Sequence, residues 1–307
     1  MTSTTNAFLT QVPWHNDGDI VLVCDDTSFR VHLDVLAAQS DIFRHMAEMP
    51  RPRQEYCETY QGCPVIHLQD TPEDMKCFLE AIYELQFSPS THVCTCADFA
   101  TASSLLRLGT KYDARLVRQR AIDVFASVYP CTSDAWSRRD VIRQFPTFAG
   151  ELHSTLALAI SNDVYSLIPS ILYTAAKLPP PDAVSELAKL PMSVDSGTEQ
   201  DLFRRYMTGR QALHRAEAAA MMSYLSPSFT LPQCRTVGLK PYAGSEVCCA
   251  ANPFKTRGES SDLCATCSKL IEKSIQEGTE EIWRRVPEMF GYADWETLKE
   301  RDKLGQY

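Results

Sequence analysis

The 307 residues are 44% hydrophobic, enough to bury a sizeable core, with two domains expected. A net charge of −9 lacks the basic footprint that nucleic acid or an anionic membrane requires, which argues against both as main targets and leaves room only for a local basic patch. No secretory signal and no uninterrupted apolar span is visible, so a soluble intracellular protein, cytoplasmic or nuclear, is expected.

In that setting the twelve cysteines read as reduced thiols or metal ligands rather than a disulfide framework. The scatter of Cys24, Cys57, Cys63, Cys77, Cys94, Cys96 and Cys131 supports thiols in the first part of the chain. Residues 1–16 are rich in Thr and Ser and read as a flexible tail with Trp14 as its one large anchor. Asp19-Ile20-Val21-Leu22-Val23 and 28–32 are two short β-type runs around a turn-like Cys24-Asp25-Asp26-Thr27, which predicts a hairpin. The period then changes to helical through Leu33, Leu36 and Ala37, and Ser40-Asp41 signals a second helix start before Ile42 and Phe43. Pro50, Pro52 and several charges make 46–62 an exposed loop. A strand is predicted over 64–68 and helices over 72–83, 99–112 and 115–128. The loop 88–95 carries Cys94-x-Cys96 with His92 nearby, too few ligands for a closed metal site.

The order D-I-V-L-V, then F-R-V-H-x-x-V-L-x-x-x-S-x-x-F, resembles the opening of a BTB/POZ domain. Asp19, His32, Val35, Leu36, Ser40 and Phe43 hold the matching positions. The F-L-E-A-I-Y run at 78–83 and Leu105, Leu106, Gly109, Tyr112 and Leu116 extend the resemblance over about a third of the chain. Physically these positions are mostly core. The resemblance implies self-association as a homodimer or binding of a protein partner. It also implies a role as substrate adaptor of a cullin-type ubiquitin ligase. In members serving such ligases an apolar-x-Glu motif after the second helix touches the cullin scaffold. Met46-Ala47-Glu48 has that form, so Phe43, Met46 and Glu48 are the candidate partner-binding residues. The register set by Ser40 and Phe43 brings the motif a few residues early, with Pro50 and Pro52 where it would fall. The other reading makes Met46 a core residue at the helix end and Glu48 a solvated charge. The N-terminal segment that exchanges strands in some dimers of the family is not evident in 1–16.

From Asp134 onward the pattern is helical nearly throughout, with apolar residues at helical spacing over 151–160 and 164–178. Pro169 either kinks the latter or marks its true first turn. Pro179-Pro180-Pro181 is a break. The longest helix is expected over 199–225, where Gly209 costs about 1 kcal/mol against Ala and suggests a break or a close contact. The segment 231–269 gathers Cys234, Cys248, Cys249, Cys264 and Cys267. Cys264-Ala265-Thr266-Cys267 is half of a structural zinc pattern, but Cys248 and Cys249 are adjacent rather than spaced, and Cys264 and Cys267 would equally well line a buried helix face. Trp283 and Trp295, with Pro287 and Gly291 between them, read as pinning the C-terminal segment onto the helical region. With these parts the chain also resembles the long BTB/POZ proteins of mushroom-forming fungi.

No nucleophile elbow, P-loop, dinucleotide fingerprint or H-E-x-x-H is present. The expectation is an α+β protein: a BTB/POZ domain over 17–130 in which helices cap a short β-sheet, an all-α region over 131–230, and a cysteine-rich irregular segment with a helical cap over 231–307. It is expected to work as a non-catalytic interaction module with no cofactor, no metal and only protein partners. The alternative is a zinc-binding regulatory protein acting through its cysteine segment.

Overall fold

The computed structural model describes residues 9–49, 58–87, 98–189, 196–225 and 265–303. The predicted hairpin is strands β2 (Ile20–Cys24) and β3 (Thr27–Val31), antiparallel from Ile20↔Val31 to Cys24↔Thr27. The turn shrinks to Asp25-Asp26, and Asp25 takes the left-handed conformation at φ 48°, which aspartate tolerates in turns. Every β2 residue is buried, so this strand lies at the centre of the sheet. It pairs in parallel with β5 (Cys63–Leu68), while the short β4 (Thr59–Tyr60) adds antiparallel to β5. Gln61 and Gly62, both at positive φ, make the tight turn between them. The loop expected over 46–62 therefore gives up residues 46–48 to a helix and Thr59 and Tyr60 to a strand.

Strand β1 (Leu9–Trp14) corrects the expectation of a flexible tail from residue 9 on, while residues 1–8 lie outside the described residues. It pairs in parallel with β3 and completes the order β1-β3-β2-β5-β4. Pro13 hid it, because proline cannot donate to a ladder. The register slips between Thr10↔Ser28 and Trp14↔Arg30, so Pro13 falls in the irregular part of an edge strand.

Helices α1 (Leu33–Gln39) and α2 (Asp41–Glu48) meet at Ser40. Its hydroxyl accepts from the Phe43 N–H and donates to the Tyr112 carbonyl, capping α2 and tying it to a distant turn. Helix α3 (Pro72–Phe87) outruns the predicted span by a turn, and α4 (Phe99–Lys111) and α5 (Arg115–Ala126) form an antiparallel pair. Gly109 permits that pairing, since a Cβ there would stand 2.8 Å from the Arg118 nitrogen. Phe29, Leu36, Phe43, Phe78, Leu79, Ile82 and Leu106 are fully buried, each contributing about 1.5–3 kcal/mol of apolar burial.

The remaining helices are α6 (Ser133–Ile142), α7 (Glu151–Ser161), α8 (Ile168–Lys177), α9 (Pro180–Leu187), α10 (Ser196–Leu225), α11 (Ala265–Met289) and α12 (Trp295–Arg301). Pro169 sits in the first turn of α8. Gly209 marks a close contact: a Cβ there would lie 2.1 Å from the Phe290 ring. Trp136, Tyr173, Trp283 and Trp295 join α6, α8, α11 and α12 in one aromatic cluster, and the Trp295 indole donates to the Trp283 carbonyl at 2.9 Å.

The core does not stop at the expected boundary near residue 130. One continuous cluster runs from Ile20 to Trp295, and the rings of Phe99, Phe125 and Phe145 pack edge to face across that point. Arg118 of α5, 3% exposed, is the polar rivet. Its guanidinium donates to the carbonyls of Asn162, Asp163 and Asp302 and to the Thr110 hydroxyl. The Asp302 carboxylate in turn accepts the Tyr165 and Ser166 N–H groups. Cys94, Cys96, Cys234, Cys248, Cys249 and Cys264 lie outside the described residues, and of the Cys267 side chain nothing is described.

Candidate interaction surface

Helix α2 is amphipathic, and its buried side explains how it is held. The Phe43 ring is fully buried and stacked on Tyr112 at 4.9 Å. Met46, one turn on, is half-buried against the core. Next to Phe43, Ile42 is 44% exposed, and Met49, the C-cap residue of the helix, is 64% exposed. Ile42 sits one turn before Met46, and Met49 follows the last helical residue. Glu48 stands exposed at the end of the same turn.

The start of α5 borders this face. Asp41 accepts from Arg44 at 2.8 Å and from Arg115 at 3.2 Å, and its N–H donates to the Asp113 carbonyl. Leu116, beside Arg115, is 56% exposed. This corrects the expectation that Leu116 is core, whereas Leu105, Leu106 and Tyr112 are buried as expected. Ile42 and Leu116, the chain neighbours of Asp41 and Arg115, thus stand in water beside that ion pair, and Met49 stands in water at the other end of α2. Of the three candidates named from the sequence, Phe43 has no exposed surface, and its part is to seat α2. Met46 and Glu48 lie within the last turn of α2 rather than after it. Leu116 had no local signal, since the apolar Val117 beside it is buried and nothing in the pattern says which of the two faces water.

The titratable groups near the sheet have structural roles. His32 closes the β3–α1 junction: its N–H donates to the Tyr83 hydroxyl at 3.0 Å and its Nδ1 lies 2.9 Å from the same oxygen. The fold also brings His15 beside it, stacked on Tyr83 at 4.4 Å. Burial, and then the neighbouring His32, hold the His15 pKa below its ordinary 6.5. The Cys24, Cys63, Cys77 and Cys131 thiols are unpaired. Burial pushes Cys24 up to about 12 and Cys131 up to about 11, which keeps both protonated and poorly nucleophilic at neutral pH. Among the described residues no three His, Cys, Asp or Glu side chains group as metal ligands, and no helix is long and apolar enough to cross a membrane.

Residues 14–125 match the family model described as BTB/POZ domain. No curated protein and no solved structure matched the chain. The match starts at Trp14, the last residue of β1, and runs through β2 to Phe125, one residue short of the end of α5, taking in the Ser40 cap and the His32–Tyr83 junction. The chain therefore carries a BTB/POZ domain, a protein–protein interaction module, over residues 14–125, followed by a helical region that shares its core.

Proposed function

We propose that the chain is a non-catalytic adaptor whose BTB/POZ domain self-associates and docks a cullin-type ubiquitin-ligase scaffold through the outer face of α2 and the start of α5. The observation that carries this reading is the exposure of Ile42 and Leu116 beside the Asp41–Arg115 ion pair, with Met49 exposed at the end of the same helix. Large apolar side chains grouped in water cost solvation that a partner's surface recovers. Glu48 at the rim supplies the charge that the resemblance assigns to scaffold contact. A non-catalytic role is supported by the structural work of His32 and by the buried, high-pKa thiols.

Calorimetric titration of the full chain with the N-terminal domain of a cullin scaffold tests this. Saturable binding that Glu48→Ala weakens and Ile42→Asp abolishes supports the reading. Heat indistinguishable from dilution, with the chain folded, refutes it. The zinc-binding alternative rests on the spacing of Cys264 and Cys267. Substoichiometric zinc in protein purified without chelator would dispose of it.

A further inference from the structure

A cleft lies along α3 and α4 where α7 crosses them, with a volume of about 460 Å³. That is large enough for a bulky side chain and the backbone on either side. Phe99 and Leu158 form its apolar floor with the Cys77 thiol beside them. The Phe99 ring is held edge to face by Phe125 and Phe145. Phe148, 40% exposed, stands 4.7 Å from Phe99 and carries the apolar surface out toward water.

The rim is polar and unevenly charged. The Asp74 carboxylate takes Arg107 through both oxygens, at 2.8 and 2.9 Å, and the Ser104 hydroxyl as well. That charge is already neutralised. Glu73, exposed on the same rim, has no ion pair among the described residues. An apolar floor with one uncompensated carboxylate beside it is complementary to an apolar side chain followed by a cation. The chain's net charge of −9 would steer such a partner in.

We propose that this cleft docks a short segment of a partner protein carrying an aromatic or large aliphatic side chain next to a lysine or arginine. The proposal gives the adaptor reading its client site and rests on that reading for its purpose, not for its binding chemistry. Phe99 opens α4, whereas the Asp41–Arg115 pair lies past its last turn. Thirteen residues of helix at about 1.5 Å each put the Phe99 floor about 20 Å from that pair.

The test uses fluorescein-labelled nine-residue peptide pools with a central Phe, one pool containing a fixed neighbouring Arg and the other a fixed Glu. Anisotropy is read against the full chain. Saturable binding of the Arg pool alone is expected, weakened about tenfold by Glu73→Lys and by Phe148→Ser. Both sites are surface positions, and circular dichroism checks that the variants fold. Glu48→Ala should leave peptide binding unchanged, so a failed cullin titration and a failed peptide titration are separate results. Equal binding of both pools overturns the proposal, as does no binding at about 1 mM or parental affinity in both variants. Loss of self-association in the two variants by sedimentation would overturn it too, by giving the cleft to a second copy of the chain.

Discussion

Replacing Arg118 with methionine keeps most of the volume and removes every donor of the rivet between the BTB/POZ domain and the helical region. The carbonyls of Asn162, Asp163 and Asp302 then lose the guanidinium they share. Each buried acceptor left unpaired costs about 1–3 kcal/mol. The three are not independent, because the loop at 162–163 and the α12 end at 302 relax together. Removing one partner from a buried charged network costs about 3–5 kcal/mol overall, and that is the expected loss. Burial already depresses the Arg118 pKa, against the pull of Asp302, Asp163 and Asp113, so the methionine also recovers some desolvation. The lower end of the range is therefore expected. Urea unfolding followed by tryptophan fluorescence reads the loss, since Trp283 and Trp295 sit in the same region. A change under about 1 kcal/mol would mean that the apolar core alone holds the regions together and that Arg118 is incidental.

Gly209→Ala, which on an exposed helix would gain about 1 kcal/mol, should instead destabilise by about 1–3 kcal/mol by driving Cβ into Phe290, and a gain in the urea midpoint would contradict the packing. Ser40→Ala, which strips the α2 cap and the Tyr112 tie, should cost about 1–3 kcal/mol in the same assay. The folded pKa of His15 is lowered from 6.5, so its contribution is present above pH 6.5 and is lost as pH falls below it toward the folded value. Trp14 fluorescence should report loosening of β1 in that window, and His15→Phe should remove the transition. The Asp74 pKa lies below 3.8: burial opposes ionisation, but Ser104 and Arg107 outweigh it. Its stability contribution holds above about pH 4 and is lost as pH falls through the folded pKa. Asp74→Asn should therefore flatten the acid limb of the stability curve.

The BTB/POZ fold was legible because its signals are local and mutually consistent. A β-branched run, a turn and a capped amphipathic helix follow one another in 19–48, and each predicts the next. Strand β1 was not legible, because its pairing is with a distant strand and Pro13 argues against a ladder. The shared core was hidden for a related reason. The break at Tyr129-Pro130 looks like a boundary in sequence, whereas Phe145 and Arg118 reveal their partners only in three dimensions. The interaction surface was half legible: the motif at Met46 and Glu48 pointed to the end of α2. The exposed residues of the proposed surface, Ile42, Met49 and Leu116, are apolar. Sequence pattern assigns such residues to the core by default.

The adaptor account stands most directly on where a scaffold touches the chain. Hydrogen exchange of the full chain, with and without a cullin N-terminal domain, maps that contact. The account predicts slowed exchange confined to α2 and the start of α5, with α10 unchanged. Slowing at α10 around its exposed Phe203 and Met207 instead, or no slowing anywhere at saturating scaffold, would contradict it.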